Sequence, residues 1–215
     1  MTVEIKFCGL TRLEDASFAA SLGASYVGAI FAGGPRKVTP ERAAELFTAA
    51  GSAARHVGVF GAERPDEVAR TAGIAALDVV QLHGDPTADY VADVRAECAL
   101  PVWAVVRVAS GAAAARLAEL DAVADAIVLD AFVPDRLGGT GTPFDWRRAA
   151  TWARPRRARL VVAGGLGAHN VREAIRSLSP AIVDVSSGVE SAPGIKDHER
   201  MRAFVRAVYE DSERR

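Results

Sequence analysis

Cysteine is scarce: the 215 residues hold two, Cys8 and Cys98. A disulfide framework is excluded in so long a chain with so few. No apolar run approaches about 18 residues, so no membrane-spanning helix is expected. The opening run MTVEIKFCGL has no basic segment followed by an apolar stretch, so it is not read as a signal peptide. Charge of one sign is lacking too. The net charge is −1, which gives no general attraction to nucleic acid or to an anionic membrane. The four histidines are scattered and no His, Cys or Asp cluster has metal-ligand spacing, so no required metal is expected. These absences place the chain in the cytosol, with reduced thiols and a small-molecule partner.

What is present is an ordinary globular composition, 50% hydrophobic and 25% charged. Eight β-branched apolar runs recur: Val3–Phe7, Tyr26–Phe31, His56–Phe60, Asp78–Leu82, Val102–Val108, Ala126–Leu129, Leu160–Ala163 and Ile182–Val185. Most are continuously apolar, as strands covered on both faces should be. They start at intervals of roughly 22 to 34 residues, one strand–helix unit each. Helical patterns lie between them. Thr11 is positioned to cap a helix over Leu13–Leu22, and Thr39-Pro40-Glu41 opens a second. Pro65 and Pro86 stand near the next two starts, and Ser110-Gly111 precede an alanine-rich surface helix. Asn170 precedes Val171–Leu178, and Lys196-Asp197-His198 leads into a last helix reaching about Tyr209. Arg154–Arg159 reads as a solvated helix end.

Eight such units build either an open doubly wound sheet or a closed barrel. The glycines decide. Cys8-Gly9, Gly33-Gly34, His83-Gly84, Gly138-Gly139-Thr140-Gly141, Gly164-Gly165 and Ser186-Ser187-Gly188 follow six different strands. An open sheet concentrates its site at one switch point, whereas a barrel needs functional loops all around its C-terminal mouth. The chain is therefore read as an α/β protein, one (β/α)8 TIM barrel over residues 1–215 with outer helices. It is short beside the typical length of about 250 residues, but within the fold's range.

The loops after strands seven and eight commonly bind phosphate in such barrels. Gly164, Gly165, Ser186, Ser187 and Gly188 supply the small residues that bring backbone N–H groups close to an anion. Cys8, at the end of strand one, is either a buried small hydrophobe or a base facing the mouth. Asp130, directly after an apolar strand, is a helix cap or a carboxyl whose pKa burial raises, suited to general acid work. Arg36, behind Pro35, has the planar fork that suits a carboxylate. Gln81 and His83 share one face of strand four, and Asp184 and Ser186 one face of strand eight. Closure makes strands one and eight neighbours, so Lys6 is expected to pair with Asp184 in the interior. Cys98, before strand five, is expected only to pack.

Together these residues resemble the phosphoribosylanthranilate isomerase family of tryptophan biosynthesis. The resemblance rests on Lys6-Phe7-Cys8-Gly9-Leu10-Thr11-Arg12, Pro35-Arg36, Gln81-Leu82-His83-Gly84, Leu129-Asp130-Ala131 and Gly138-Gly139-Thr140-Gly141 with Phe144-Asp145-Trp146. It continues through Ala163-Gly164-Gly165-Leu166 and Val183-Asp184-Val185-Ser186-Ser187-Gly188-Val189-Glu190. It implies an Amadori rearrangement of N-(5-phosphoribosyl)anthranilate to 1-(2-carboxyphenylamino)-1-deoxyribulose 5-phosphate. It also implies Cys8 as general base, Asp130 as general acid and Arg36 on the anthranilate carboxylate, with no cofactor. Gly34, Lys37 and Thr142-Pro143 depart from the family's common residues. Three rivals stand beside it: the related sugar isomerase of histidine biosynthesis or a dual-substrate version of it, a flavin-binding barrel oxidoreductase and a non-catalytic phosphate-ligand binding barrel. The first uses an aspartate where Cys8 stands. Whether the chain is a monomer or a homodimer is left open.

Overall fold

A computed structural model describes residues 2–108, 112–130, 145–154 and 157–209. The expected architecture is present. Strands β1 (Glu4–Phe7), β2 (Tyr26–Ile30), β3 (Arg55–Phe60), β4 (Val79–Leu82), β5 (Val102–Arg107), β6 (Ala126–Asp130), β7 (Arg159–Ala163) and β8 (Ile182–Val185) form a closed parallel barrel. The helices between them are α1 (Leu13–Ser21), α2 (Pro40–Ala50), α3 (Pro65–Ala75), α4 (Ala88–Cys98), α5 (Ala113–Asp121), the short α6 (Trp146–Ala149) and α7 (Val171–Leu178), with α8 (His198–Tyr209) after β8. Expected strand ends are met to within a residue. An antiparallel pair, β9 (Glu190–Ala192) and β10 (Ile195–Lys196), was not expected.

The apolar residues sort into two layers by strand parity. Residues such as Ile5, Phe7, Val80, Leu82, Ile127, Leu129 and Val183 point outward and pack under the helices. Tyr26, Val57, Val79, Trp103, Val105, Ala126, Val128, Val161, Ala163 and Ile182 fill the barrel itself. The edge of the Tyr26 ring lies against Trp103, with centroids 4.9 Å apart. The interior is thus a packed core, not a channel, and only its upper layer is open to chemistry.

Two local expectations change. Thr11 does not cap α1: the flanking residue is Arg12, which makes no side-chain cap. The Thr11 hydroxyl instead donates to Gly194 O at 2.6 Å, tying the loop after β1 to the β9–β10 turn. Thr39 does cap α2, accepting from Arg42 N at 3.2 Å. The basic stretch ends inside the sheet: Arg159 begins β7 and donates to the Tyr26 hydroxyl at 2.8 Å, and to Glu4. Its residues 155 and 156 lie outside the described residues, as do Ser110-Gly111, Ala131, Gly138-Gly139-Thr140-Gly141, Thr142-Pro143 and Phe144.

Candidate active site

Parity carries the site. Lys6 and Cys8, Gln81 and His83, Arg107, Asp130, and Asp184 and Ser186 all share the face of their strands that points into the barrel. All the strands are parallel, so Cys8, His83, Arg107, Asp130 and Ser186 collect at one end.

Lys6 is wholly buried, and its Nζ donates to Asp184 Oδ2 at 2.6 Å, the pair expected from closure. Asp184 Oδ1 and Gln81 Oε1 are buried and make no hydrogen bond among the described residues. Burial works against the Lys6 charge, but Asp184 and Cys8 more than offset it and hold the ammonium above its ordinary range.

Cys8 accepts space from Gly28 on β2. A Cβ on Gly28 would stand 3.2 Å from Cys8 Sγ and 3.2 Å from Lys6 Cε, so a larger residue there would crowd both side chains. Burial pushes the Cys8 thiol up, while Lys6 and, more weakly, Lys196 pull it down. Asp130 is the last residue of β6, and its Oδ2 lies 3.5 Å from His83 Nε2. Burial raises its carboxyl above the usual range, with His83 the main opposing influence. A carboxyl and a thiol, both pushed up by burial, are thus set on the inner face of one rim.

Arg36 reaches the same rim from the loop after β2. Its stem lies against Gly9, where a Cβ would meet Arg36 Cδ at 2.7 Å. Its guanidinium is held by Glu190, Nε to Oε1 at 2.8 Å and Nη2 to Oε2 at 2.6 Å. Glu190 also takes Lys196 Nζ at 2.8 Å on Oε1. Burial raises its carboxyl, but Arg36 and Lys196 outweigh that and leave it below the carboxylate range. Neither Glu190 nor Lys196 was singled out by sequence reasoning. The turn signal Pro193-Gly194, set between two short extended runs, was the available clue.

The loops after β7 and β8 touch. A Cβ on Gly188 would lie 1.9 Å from Leu166 O, so the approach requires glycine. Gly164 and Gly165 have φ of 80° and 68°. Asn170 fixes this loop, accepting from Gly167 N at 2.8 Å and donating to Gly165 O at 2.9 Å. Ser187–Val189 form a single 3-10 turn beside it. The two loops thus meet through small residues whose backbone carries no bulky side chain. Cys98 stands far from all this, ending α4 half-buried against the outer core. Among the described residues, no group of three or more His, Cys, Asp and Glu side chains is arranged to hold a metal ion, and no helix is long and apolar enough to cross a membrane.

Known proteins share both sequence and form. The family model for N-(5′-phosphoribosyl)anthranilate isomerase matches residues 5–207. An N-(5′-phosphoribosyl)anthranilate isomerase of Ralstonia pickettii is 42% identical over 219 residues, covering 96% of this chain and 92% of the relative. The crystal structure of the phosphoribosyl anthranilate isomerase of Thermotoga maritima superposes with a TM-score of 0.89 at 35% identity, covering 97% of this chain and 100% of that one. Another structure of such an enzyme, in complex with reduced 1-(o-carboxyphenylamino)-1-deoxyribulose 5-phosphate, superposes at 0.85 and 33% identity, with 97% and 100% covered. With a matching model over nearly its full length and these relatives, the chain belongs to the N-(5′-phosphoribosyl)anthranilate isomerase family.

Proposed function

We propose that the isomerisation of N-(5′-phosphoribosyl)anthranilate, the tryptophan-biosynthetic activity of this family, is carried here by Cys8 as general base and Asp130 as general acid. The observation that carries the assignment is the shared inward parity of the two groups on one barrel rim. Asp130, whose carboxyl burial raises, gives a proton to the ring oxygen. The C1–O bond breaks and the anilino nitrogen forms a C=N bond. Cys8 as thiolate removes the C2 proton, and the electron pair moves through C1=C2 to nitrogen. The enolamine then becomes the ketone by a proton shift from the C2 hydroxyl to C1. The substrate's own nitrogen is the electron sink, so the reading includes no cofactor and no metal.

Binding follows the same rim. Gly164, Gly165, Ser187 and Gly188 take the phosphate, with Ser186 beside them. Arg36 takes the anthranilate carboxylate. Gln81, His83 and Asp184 face the sugar hydroxyls. The reading also takes the enzyme to work in the cytosol, as a monomer or homodimer, without nucleic acid or membrane.

Loss of substrate fluorescence on adding N-(5′-phosphoribosyl)anthranilate tests the activity. Cys8→Ser and Asp130→Asn should each lower kcat by about 10² to 10⁴-fold with folding kept, the usual worth of general acid–base catalysis. Cys98→Ser should change nothing. Near-normal turnover in Cys8→Ser would remove Cys8 from the role. The pH profile adds a check. The base needs its proton off and the acid needs its proton on, yet burial raises both groups. If the thiol lies above the carboxyl, activity is flat between them. It then falls below the Asp130 value, as the thiolate is lost, and above the Cys8 value, as the protonated acid is lost.

A further inference from the structure

Arg36 and Glu190 by themselves make a poor anion site. A guanidinium already gripped by a carboxylate through two nitrogens is a neutral pair, and a second carboxylate brought to it meets Glu190's charge as well. Lys196 changes this balance. Its side chain is wholly buried, and its Nζ donates to Cys8 O at 2.6 Å, to Glu190 Oε1 at 2.8 Å and to Ser186 O at 3.1 Å. A fourth, longer contact runs to Ser186 Oγ at 3.5 Å; the three shorter partners are carbonyl and carboxylate oxygens, which only accept, and they match the three donors of an ammonium group. The other buried carboxylate nearby, Asp15, is taken up elsewhere. Arg12 grips it at 2.9 and 2.7 Å, His198 lies 3.0 Å away, and Lys196 meets it only through a backbone N–H at 3.1 Å. Glu190 is therefore shared by two cations, and the three side chains together carry one net positive charge.

We infer that Glu190 and Lys196 are positioning residues that set the charge Arg36 presents to the substrate's carboxylate. Glu190 aims the guanidinium. Lys196 draws on the same carboxylate from its other side, so that Arg36 is aimed without being neutralised. Contacts with Glu190 engage Nε and one N–H of Nη2, which leaves three guanidinium N–H donors for a ligand. The β9–β10 pair that carries Lys196 is itself fixed to the loop after β1, by Thr11 on Gly194 O at 2.6 Å and Arg12 on Lys196 O at 3.1 Å. The inference rests on the reading of Arg36 given above, and the test separates the two.

The experiment compares kcat, KM and the inhibition constant of inorganic phosphate in the full chain and in Arg36→Met, Lys196→Met, Glu190→Gln and the double variant Lys196→Met/Glu190→Gln. Lys196→Met leaves Glu190 to Arg36 alone, and KM should rise on the order of tenfold or more, the worth of a hydrogen bond to a charged group. Its kcat should fall far less, because the carboxylate is held in ground and transition states alike. Adding Glu190→Gln restores the single positive charge and should reverse most of the rise in KM. A purely structural role gives the opposite, a double variant as poor as Lys196→Met or worse. Inhibition by phosphate should stay constant throughout; a parallel rise there means general damage to the mouth and overturns the inference. If Lys196→Met does not fold, Lys196→Gln, which keeps a donor for the carbonyls and drops the charge, takes its place with the same expected outcomes. An unchanged KM in Arg36→Met would sink the reading of Arg36 itself. A raised KM there, with no recovery in the double variant, sinks only the inference.

Discussion

Two buried lysines, one inside the barrel and one at its rim, are made of the same chemistry, yet their affinities for the proton are shifted in opposite directions. Lys6 has a carboxylate to itself, and its affinity for the proton is raised. Lys196 shares Glu190 with Arg36, and burial prevails to lower its affinity. The difference shows that burial alone does not decide a lysine's behaviour. What decides it is how many cations the nearest carboxylate must serve. The interior spends its charge on internal balance, whereas the rim is left with a surplus that a ligand can use.

The largest effect should come from breaking the interior pair. Lys6→Met leaves Asp184 buried without its cation and should cost about 3–5 kcal/mol in urea unfolding. Lys6→Met/Asp184→Leu should recover most of that stability, since a well-packed apolar pair replaces the ions. A double variant no more stable than the single would mean that the pair is not an isolated unit.

The rim should break differently, in binding rather than in folding. Gly165 has φ of 68°, and a β-branched residue there costs about 1–3 kcal/mol of strain. Gly165→Val should raise KM strongly and weaken inhibition by inorganic phosphate, with a smaller shift of the urea midpoint. Normal phosphate inhibition in this variant would remove the cradle from the loops after β7 and β8.

The finest test of the contrast is alkaline. Lys6, raised above 10.5, contributes stability that is complete below 10.5 and lost as pH climbs through its folded value. Lys196, lowered from 10.5, sheds its proton first in the folded chain, so stability grows as pH climbs from its folded value toward 10.5. Each slope is at most about 1.4 kcal/mol per pH unit, one proton's worth. Compared with the parent chain, Lys6→Met/Asp184→Leu should lose the falling component and Lys196→Met the rising one. Unfolding curves at a series of pH values read both; slopes of the same sign would refute the contrast.

The interior half of this picture was legible in the sequence, and the rim half was not. Eight apolar runs, with glycine-bearing loops after six of them, point to closure; closure sets strand one beside strand eight, and parity then turns Lys6 toward Asp184. Each step follows from regular geometry. Lys196 offers no such regularity. It sits in a two-residue strand after a Pro-Gly turn, in a stretch that reads as a lead-in to α8. Its partners lie at Cys8, Ser186 and Glu190, in two different loops. Thr11 was misread for a related reason: a local cap was expected, but the hydroxyl is drawn to a carbonyl 183 residues away. Arg36 was recognised by its place behind Pro35, yet nothing in Gly33-Gly34-Pro35-Arg36 announced that a buried glutamate would hold it.

The Lys6–Asp184 pair spans 178 residues, and this separation has a consequence for a chain made from one end. While the first seven strands are emerging, β1 is an open edge bearing an inward lysine with no counter-ion. An unpaired charge on such an edge discourages pairing with the wrong strand of another chain. Only β8 brings the aspartate that makes burial of that lysine acceptable. The same ion pair that tunes the finished interior thus makes burial of the first strand's lysine depend on the last strand being in place.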